Sequence, residues 1–281
     1  MTFRATLTRA VAAAAATLLP LTASAEWALN MRKGVTPFSN EIYGLHMLVL
    51  WICVGIGVIV FGAIIYSVIN FRKSQGAVAE QWHESTKVEV VWTVIPFAIL
   101  VLMAIPATKA LIMMEDTAGS EMTIKVTGYQ WKWGYEYVDE GITLYSTIDA
   151  DSNAARQRDS GIDPATVDNY LLEVDNYLVV PTDTKIRFLT TAADVIHAWW
   201  VPDLGWKRDA IPGFINESWA TIEEPGVYRG QCAELCGKDH GFMPVVIRAV
   251  PKEEYLAWVD EQKGGVIAGT PQRATSLAAG E

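Results

Sequence analysis

The stretch Cys232-Ala233-Glu234-Leu235-Cys236-Gly237-Lys238-Asp239-His240-Gly241-Phe242-Met243 places two thiols, an imidazole and a thioether within twelve residues, directly before an apolar run, Val245 to Val250. Soft thiolate and thioether ligands combined with imidazole select copper. A second imidazole, His197, lies 35 residues before Cys232, in Asp194-Val195-Ile196-His197-Ala198-Trp199. One Cys with His and Met on a β-sandwich loop would make a blue-copper site. The second cysteine changes that arithmetic. Two bridging thiolates can hold two copper ions, leaving His197 and His240 as one terminal nitrogen each. Met243 then offers a weak axial contact, and the Glu234 carbonyl can fill the corresponding place on the other ion. Two other chemistries compete. A Cys232–Cys236 disulfide is natural in an exported protein and is favoured by the two cysteines alone. Zinc accepts two Cys and two His but has no use for Met243. His240 and Met243 at ligand spacing turn the balance toward a metal. His46, His83 and Cys53 fall in an apolar half of the chain, where the histidines read as structural and Cys53 as a small hydrophobe.

Around this loop the chain reads as β. Val126 to Val138, Leu171 to Val179, Lys185 to Thr191, Gly226 to Arg229 and Val245 to Val250 are short runs rich in β-branched and aromatic residues. Pro and Gly pairs such as Pro212-Gly213 and Pro225-Gly226 punctuate them. Many short strands of this kind point to a sandwich or Greek-key barrel. Asp149 to Asn169 is polar and reads as an insertion loop. Tyr255 to Gln262 reads as a short helix, and residues 263–281 as a disordered tail. The extracytoplasmic domain is therefore expected over 115–262.

The first 114 residues have a different character. Arg4 and Arg9, the apolar run Ala10 to Leu19 and Ala23-Ser24-Ala25 form the three parts of a signal peptide over 1–25. Two membrane spans are expected within 26–114, at about 42–71 and 90–114. No Asp, Glu, Lys or Arg occurs from Ile42 to Phe71, longer than the roughly 20 residues a crossing helix needs. Gly55 and Gly62 share a helix face that admits a close neighbour. Pro96 and Pro106 in the second span are tolerated where neighbours satisfy the freed carbonyls. An exported N-terminus makes a hairpin with both ends outside and its basic loop (Arg72, Lys73, Lys87) in the cytoplasm.

Between Glu115 and Asp260 there are 25 acidic against 12 basic residues. Such a field disfavours nucleic acid and attracts a basic partner, with a salt-dependent on-rate.

Taken together, Gly128-Tyr129-Gln130-Trp131-Lys132-Trp133-Gly134-Tyr135-Glu136-Tyr137, Leu172-Glu173-Val174-Asp175-Asn176, Val195-Ile196-His197, Asp209-Ala210-Ile211-Pro212-Gly213 and the Cys232 to Met243 loop resemble subunit II of the haem–copper cytochrome c oxidases. The resemblance covers nearly the whole mature chain. It implies a membrane α-helical hairpin followed by an all-β cupredoxin-like Greek-key barrel carrying the two-copper centre CuA. It implies a chain set in the inner membrane, surrounded by lipid, with both termini and the copper domain on the periplasmic side. Its implied partners are subunit I, the other oxidase subunits and cytochrome c. Cytochrome c would dock on the acidic face, with Glu136, Asp175 and Asp194 as docking carboxylates. Trp131 would receive its electron, bound for haem in subunit I, where oxygen is reduced to water and protons are pumped. The resemblance also gives Glu234 a side-chain contact to a Mg2+ ion shared with subunit I, and makes Glu89 the entrance of a proton path. Plainer readings stand beside these: core packing for Trp133, Trp199 and Trp206, and for Glu89 the favourable place of an acid in a helix's first turn. A quinol oxidase subunit II has this fold without copper and so lacks a reason for the full ligand set. A hairpin-anchored copper-delivery protein would need neither the Trp131 motif nor Glu89. Nitrous oxide reductase carries a propeller for which this chain has no room.

Overall fold

Thr36 starts the first membrane helix and fixes it to the rest of the molecule. In the computed structural model, which describes residues 30–81 and 83–265, helix α1 (Pro37–Asn70) opens with a reciprocal cap. The Thr36 hydroxyl accepts from the Ser39 amide at 2.9 Å, and the Ser39 hydroxyl accepts from the Thr36 amide at 3.0 Å. Thr36 also donates to the Leu204 carbonyl at 2.9 Å, 168 residues away. Helix α2 (Thr86–Glu115) returns antiparallel and contains Pro96 and Pro106. The two helices have 34 and 30 residues, roughly 50 and 45 Å at 1.5 Å per residue, enough for a hydrocarbon core of ~30 Å. Both begin a few residues before the expected apolar spans, α1 at the Thr36 cap just described. The expected signal peptide (1–25) lies outside the described residues. So does most of the expected tail, whose first residues instead continue the last helix, α4 (Lys252–Gly265). The helical turn there persists past Gln262 because Tyr255 and Val259 anchor its inner face in the core.

Ten strands are seen among the described residues: β1 (Met122–Tyr129), β2 (Lys132–Tyr137), β3 (Ile142–Ser146), β4 (Leu178–Pro181), β5 (Ile186–Ala192), β6 (His197–Trp200), β7 (Lys207–Ala210), β8 (Asn216–Ala220), β9 (Gly226–Cys232) and β10 (Pro244–Val250). They form two five-stranded sheets, ordered β3-β2-β1-β5-β8 and β4-β10-β9-β6-β7. Each sheet is mixed, with β1 parallel to β5 in one and β4 parallel to β10 in the other. Burial alternates residue by residue along β1 and β5, the sign of strands with one face turned to the core. The sheets meet through aromatics: Phe188 on β5 stacks on Trp199 of β6 at 5.2 Å, and Trp206 lies 5.4 Å from Trp199. Their polar tips are satisfied, as large buried aromatics require. Trp199 Nε1 reaches Tyr135 Oη at 3.3 Å and Tyr137 Oη donates to the Val179 carbonyl at 2.8 Å. This is the cupredoxin-like sandwich expected from the sequence.

Three local expectations need correction. The run from Val126 to Val138 is not one strand. It turns at Gln130–Trp131 into the antiparallel β1–β2 pair. Leu171 to Val179 is irregular until Leu178, because Leu171 has a positive φ and Glu173 and Asp175 bond Asp149 and Thr147, just past the end of β3, at one isolated bridge rather than along a ladder. The expected loop from Asp149 to Asn169 contains helix α3 (Ala150–Ala155), capped by Asp149, which accepts from the Asp151 and Ser152 amides.

The barrel grips both outer ends of the hairpin. Val35 donates to the Asp203 carbonyl at 3.0 Å, and Trp219 Nε1 to the Met113 carbonyl at 2.9 Å. Arg208 pairs with Glu115 at 3.0 Å.

Candidate metal centre

Strand β9 ends on Cys232 and β10 begins at Pro244, and the two are paired Gln231 to Pro244. The ladder thus closes the ends of the 233–243 loop and folds Cys236, His240 and Met243 back over Cys232. Strand β6 adds the missing imidazole. It pairs with β9 at Trp199 opposite Cys232, and the Ala233 amide donates to the Ala198 carbonyl at 2.9 Å. His197, two residues from Trp199, then sits fully buried beside the thiol. Its place requires Gly128: a Cβ there would come within 2.7 Å of the His197 ring.

The donor atoms converge. Cys232 Sγ lies 3.9 Å from His197 Nδ1 and 3.4 Å from the Glu234 carbonyl oxygen. Cys236 Sγ lies 3.5 Å from His240 Nδ1 and 3.6 Å from Met243 Sδ. The two sulfurs are 3.9 Å apart and not bonded, far beyond the ~2.05 Å of a disulfide. One donor set surrounds each sulfur, with a gap between them, which fits soft metal held by two shared thiolates. The set extends beyond the His197, Cys232 and Cys236 cluster by one imidazole, one thioether and one carbonyl.

Electrostatics split the thiol pair. Burial pushes Cys232 up, but hydrogen bonding with His197, the Ala198 and Glu234 backbone and His240 outweighs it and brings the thiol down to about 7. Burial, then the charge on Cys232, pushes Cys236 up to about 12. The thiol pair therefore holds one negative charge readily and resists a second. Burial disfavours the charged form of His197, but bonds to Cys232 and Asp194 raise its pKa above the ordinary value.

Asp194 Oδ1 lies 2.9 Å from His197 Nε2, leaving Nδ1 for the thiol side, and Asp194 Oδ2 accepts from the Gln130 amide at 2.7 Å. A carboxylate on the far ring nitrogen orients a ligand imidazole. Burial raises the Asp194 carboxyl, and the bonds from His197, Val195 and Gln130 more than reverse that. Trp131 is half-buried against the loop, its Nε1 donating to the Cys236 carbonyl at 3.2 Å, and Gln130 Nε2 reaches the same oxygen at 2.8 Å. Gly237, at φ +120°, lets the loop lie against that indole. Lys238 Nζ sits 5.6 Å from the Trp131 ring. Trp133 is core, yet its Nε1 donates to the Met243 carbonyl at 3.2 Å.

The other expected residues lie apart. Glu136 is exposed on β2 and pairs with Lys125 at 3.3 Å. Asp175 is exposed and accepts from the Thr147 amide at 2.7 Å and from its hydroxyl at 2.8 Å. The Glu234 side chain is exposed. Glu89 occupies the first turn of α2, about 39 Å of helix from Glu115, so it cannot share the loop's chemistry. Gln130 and Gly128 lie inside a motif already singled out, but nothing local in the sequence distinguishes their roles. Their contacts span 106 and about 69 residues.

A mixed-sheet sandwich with a thiol–imidazole–thioether loop, mounted on two membrane-length helices, defines a membrane-anchored cupredoxin-like metal protein. Comparison with known proteins narrows this class. The model of the cytochrome c oxidase subunit II periplasmic domain matches residues 122–250, and that of the subunit II transmembrane domain matches residues 24–110. "Probable cytochrome c oxidase subunit 2" of Rickettsia bellii is 38% identical over 234 residues, covering 83% of each chain. Cytochrome c oxidase subunit 2 of Mycosarcoma maydis is 39% identical over 237 residues, 84% of this chain and 91% of its own. The crystal structure of the periplasmic domain of subunit II of the Bradyrhizobium japonicum cytochrome oxidase is 42% identical, covering 53% of this chain and 97% of that one, with a TM-score of 0.45. The chain belongs to the cytochrome c oxidase subunit II family.

Proposed function

We propose that this chain accepts electrons from cytochrome c and delivers them toward the haem of subunit I, where oxygen is reduced to water with proton pumping. The observation that carries this reading is the pair of unbonded sulfurs, 3.9 Å apart, each with its own imidazole. His197, Cys232, Cys236, His240, Met243 and the Glu234 carbonyl would hold two copper ions. When bound, such a centre supplies a one-electron relay.

The remaining residues act around it. The sheet ladder and the Trp133 bond to the Met243 carbonyl hold the donors in place, which keeps reorganisation small. The carbonyl of Cys236 joins the ligand loop to the Trp131 indole, a contact suited to receiving an electron from outside. Trp131→Phe removes the Nε1 donor and keeps only a smaller aromatic ring. It should slow electron arrival from cytochrome c several-fold in stopped-flow measurements while leaving the copper spectrum unchanged. Glu136 and Asp175 are exposed, and with Asp194 they would attract a basic cytochrome c, screened within ~10 Å at 0.1 M salt. The exposed Glu234 side chain would reach a Mg2+ ion shared with subunit I, and Glu89 would open a proton path on the cytoplasmic side. Subunit I and the other oxidase subunits are the partners of this reading. It places the chain in the inner membrane with both termini and the 115–262 domain in the periplasm.

The test uses the full-length chain in detergent, loaded with copper and measured by metal analysis and electron paramagnetic resonance. Two coppers per chain and a seven-line pattern from one electron shared by both are expected. A single copper, or a Cys232–Cys236 disulfide that excludes metal, would sink the reading.

A further inference from the structure

We propose that Arg156 is a positioning residue for the metal loop, clamping it from the segment between β3 and β4; this rests on the two-copper reading above. The two halves of the site are held differently. His197 lies on a strand, in register with Ala210 and backed by Asp194. His240 lies on one short 3-10 turn, His240–Phe242, outside any ladder. The Arg156 guanidinium reaches that turn from 83 residues away. Its Nη1 lies 3.4 Å from Asp239 Oδ1, and its Cζ lies 4.3 Å from the centre of the Phe242 ring.

Asp239 immediately precedes His240, and Phe242 immediately precedes Met243. One planar cation therefore touches the neighbour of each ligand on the Cys236 side. Arginine suits the task because its flat, permanently charged group can pair with a carboxylate at its edge while stacking on an aromatic face.

The clamp has its own footing. Arg156 Nε donates to Asn153 Oδ1 at 2.8 Å, which fixes the plane of the guanidinium. Its amide closes the end of helix α3 on the Ser152 carbonyl at 3.0 Å. Ser152, fully buried, accepts from the Leu171 amide at 3.1 Å and ties α3 to the far side of the segment. Side-chain exposures of 20% for Arg156 and 24% for Asp239 leave the pair only partly open to water, so screening weakens it less than a surface pair. The polar segment over 149–169 thereby becomes a brace for the ligand loop.

The test compares copper-loaded wild-type chain in the assembled oxidase with Arg156→Gln and Asp239→Asn. Readouts are the copper hyperfine pattern, the midpoint potential of the centre and the rate of copper loss to a chelator. Removing groups that orient ligands typically costs 10- to 100-fold in metal affinity. Arg156 acts one residue away from the ligands, so Arg156→Gln should lose copper on the order of tenfold faster, with a shifted potential and an altered hyperfine pattern. An unchanged pattern and potential in Arg156→Gln would overturn the proposal, whatever the rate of loss. Should Arg156→Gln fail to fold, the near-isosteric Asp239→Asn decides by the same spectral criteria. A wild-type chain without two coppers removes the reading on which the clamp rests, and the clamp with it, a result no Arg156 variant can mimic.

Discussion

The membrane hairpin and the β-domain handle the same kinds of side chain in opposite ways. Along α1 and α2, Phe61 and Trp92 stand 65% and 63% exposed, turned outward toward what would be lipid. In the sandwich, Phe188, Trp133 and Trp199 are fully buried and interlocked. Lipid is as apolar as a side chain, so the hairpin gains little by packing on itself and leaves its surface to the bilayer and to neighbouring helices. Water drives the sandwich to exclude its aromatics, and the close packing that follows gives the ligand loop a rigid floor. Function needing geometry belongs on the second kind of structure.

The contrast can be broken most sharply at its aromatics. Phe188→Ala should cost the β-domain about 3–5 kcal/mol in denaturant unfolding followed by tryptophan fluorescence. Phe61→Ala, at the lipid face, should leave that transition unmoved; equal losses would mean the two regions unfold as one.

Glycines sharpen the comparison. Gly128→Ala drives a methyl to within 2.7 Å of the His197 ring and should destabilise by about 1–3 kcal/mol, with weaker copper retention. Gly62→Ala meets nothing within 4 Å on the hairpin and should not change copper retention. Retention is read as copper remaining after gel filtration against a chelator. Wild-type copper content in Gly128→Ala would contradict the close approach.

At the seam between the regions, Thr36→Ala removes a helix cap and the bond to Leu204 together. Loss of such a cap costs about 1 kcal/mol, and amide exchange should rise at Ser39, which loses its partner, and at Val35, whose N–H crosses the same seam to the Asp203 carbonyl. Protection unchanged at Val35 would separate the two regions.

The smallest effect lies on the sandwich surface. The Arg187 guanidinium, bonded to Glu217 at 3.0 and 2.5 Å, holds that carboxyl below its usual range. A carboxylate depressed in the folded state stabilises above its ordinary pKa, and that stability is lost as pH falls through the folded value. Glu217→Gln should therefore lower the melting temperature slightly near pH 7 and by less near pH 3. Both side chains are more than a third exposed, so solvent screening keeps the gain small. An equal decrement at both pH values would assign the loss to packing.

What could be read ahead of the structure follows from how far each signal reaches along the chain. Apolar length defined the hairpin because a crossing helix needs only its own residues. The ligand loop was legible because Cys232, Cys236, His240 and Met243 sit within twelve positions. β7 and β8 escaped because Lys207–Ala210 and Asn216–Ala220 carry too many polar side chains to read as strands; they hold through pairing with β6 and β5. The β1–β2 turn was hidden because Gln130 and Trp131 carry no Gly or Pro signal. The Asp149 cap was visible in principle, as the first residue of a stretch whose overall polarity spoke for a loop.

The two-region plan, the membrane hairpin and the identity of the soft-ligand loop are all properties of composition and short spacing, legible residue by residue. What holds that loop emerges from the folded chain alone: Asp194 behind His197, Gln130 and Trp131 on the Cys236 carbonyl, Arg156 against Asp239 and Phe242. Apart from Asp194 with His197, those partners lie 83 to 106 residues apart in the chain, and strand pairing brings them together; no local pattern encodes a contact whose two halves are each ordinary surface residues until the sheets close.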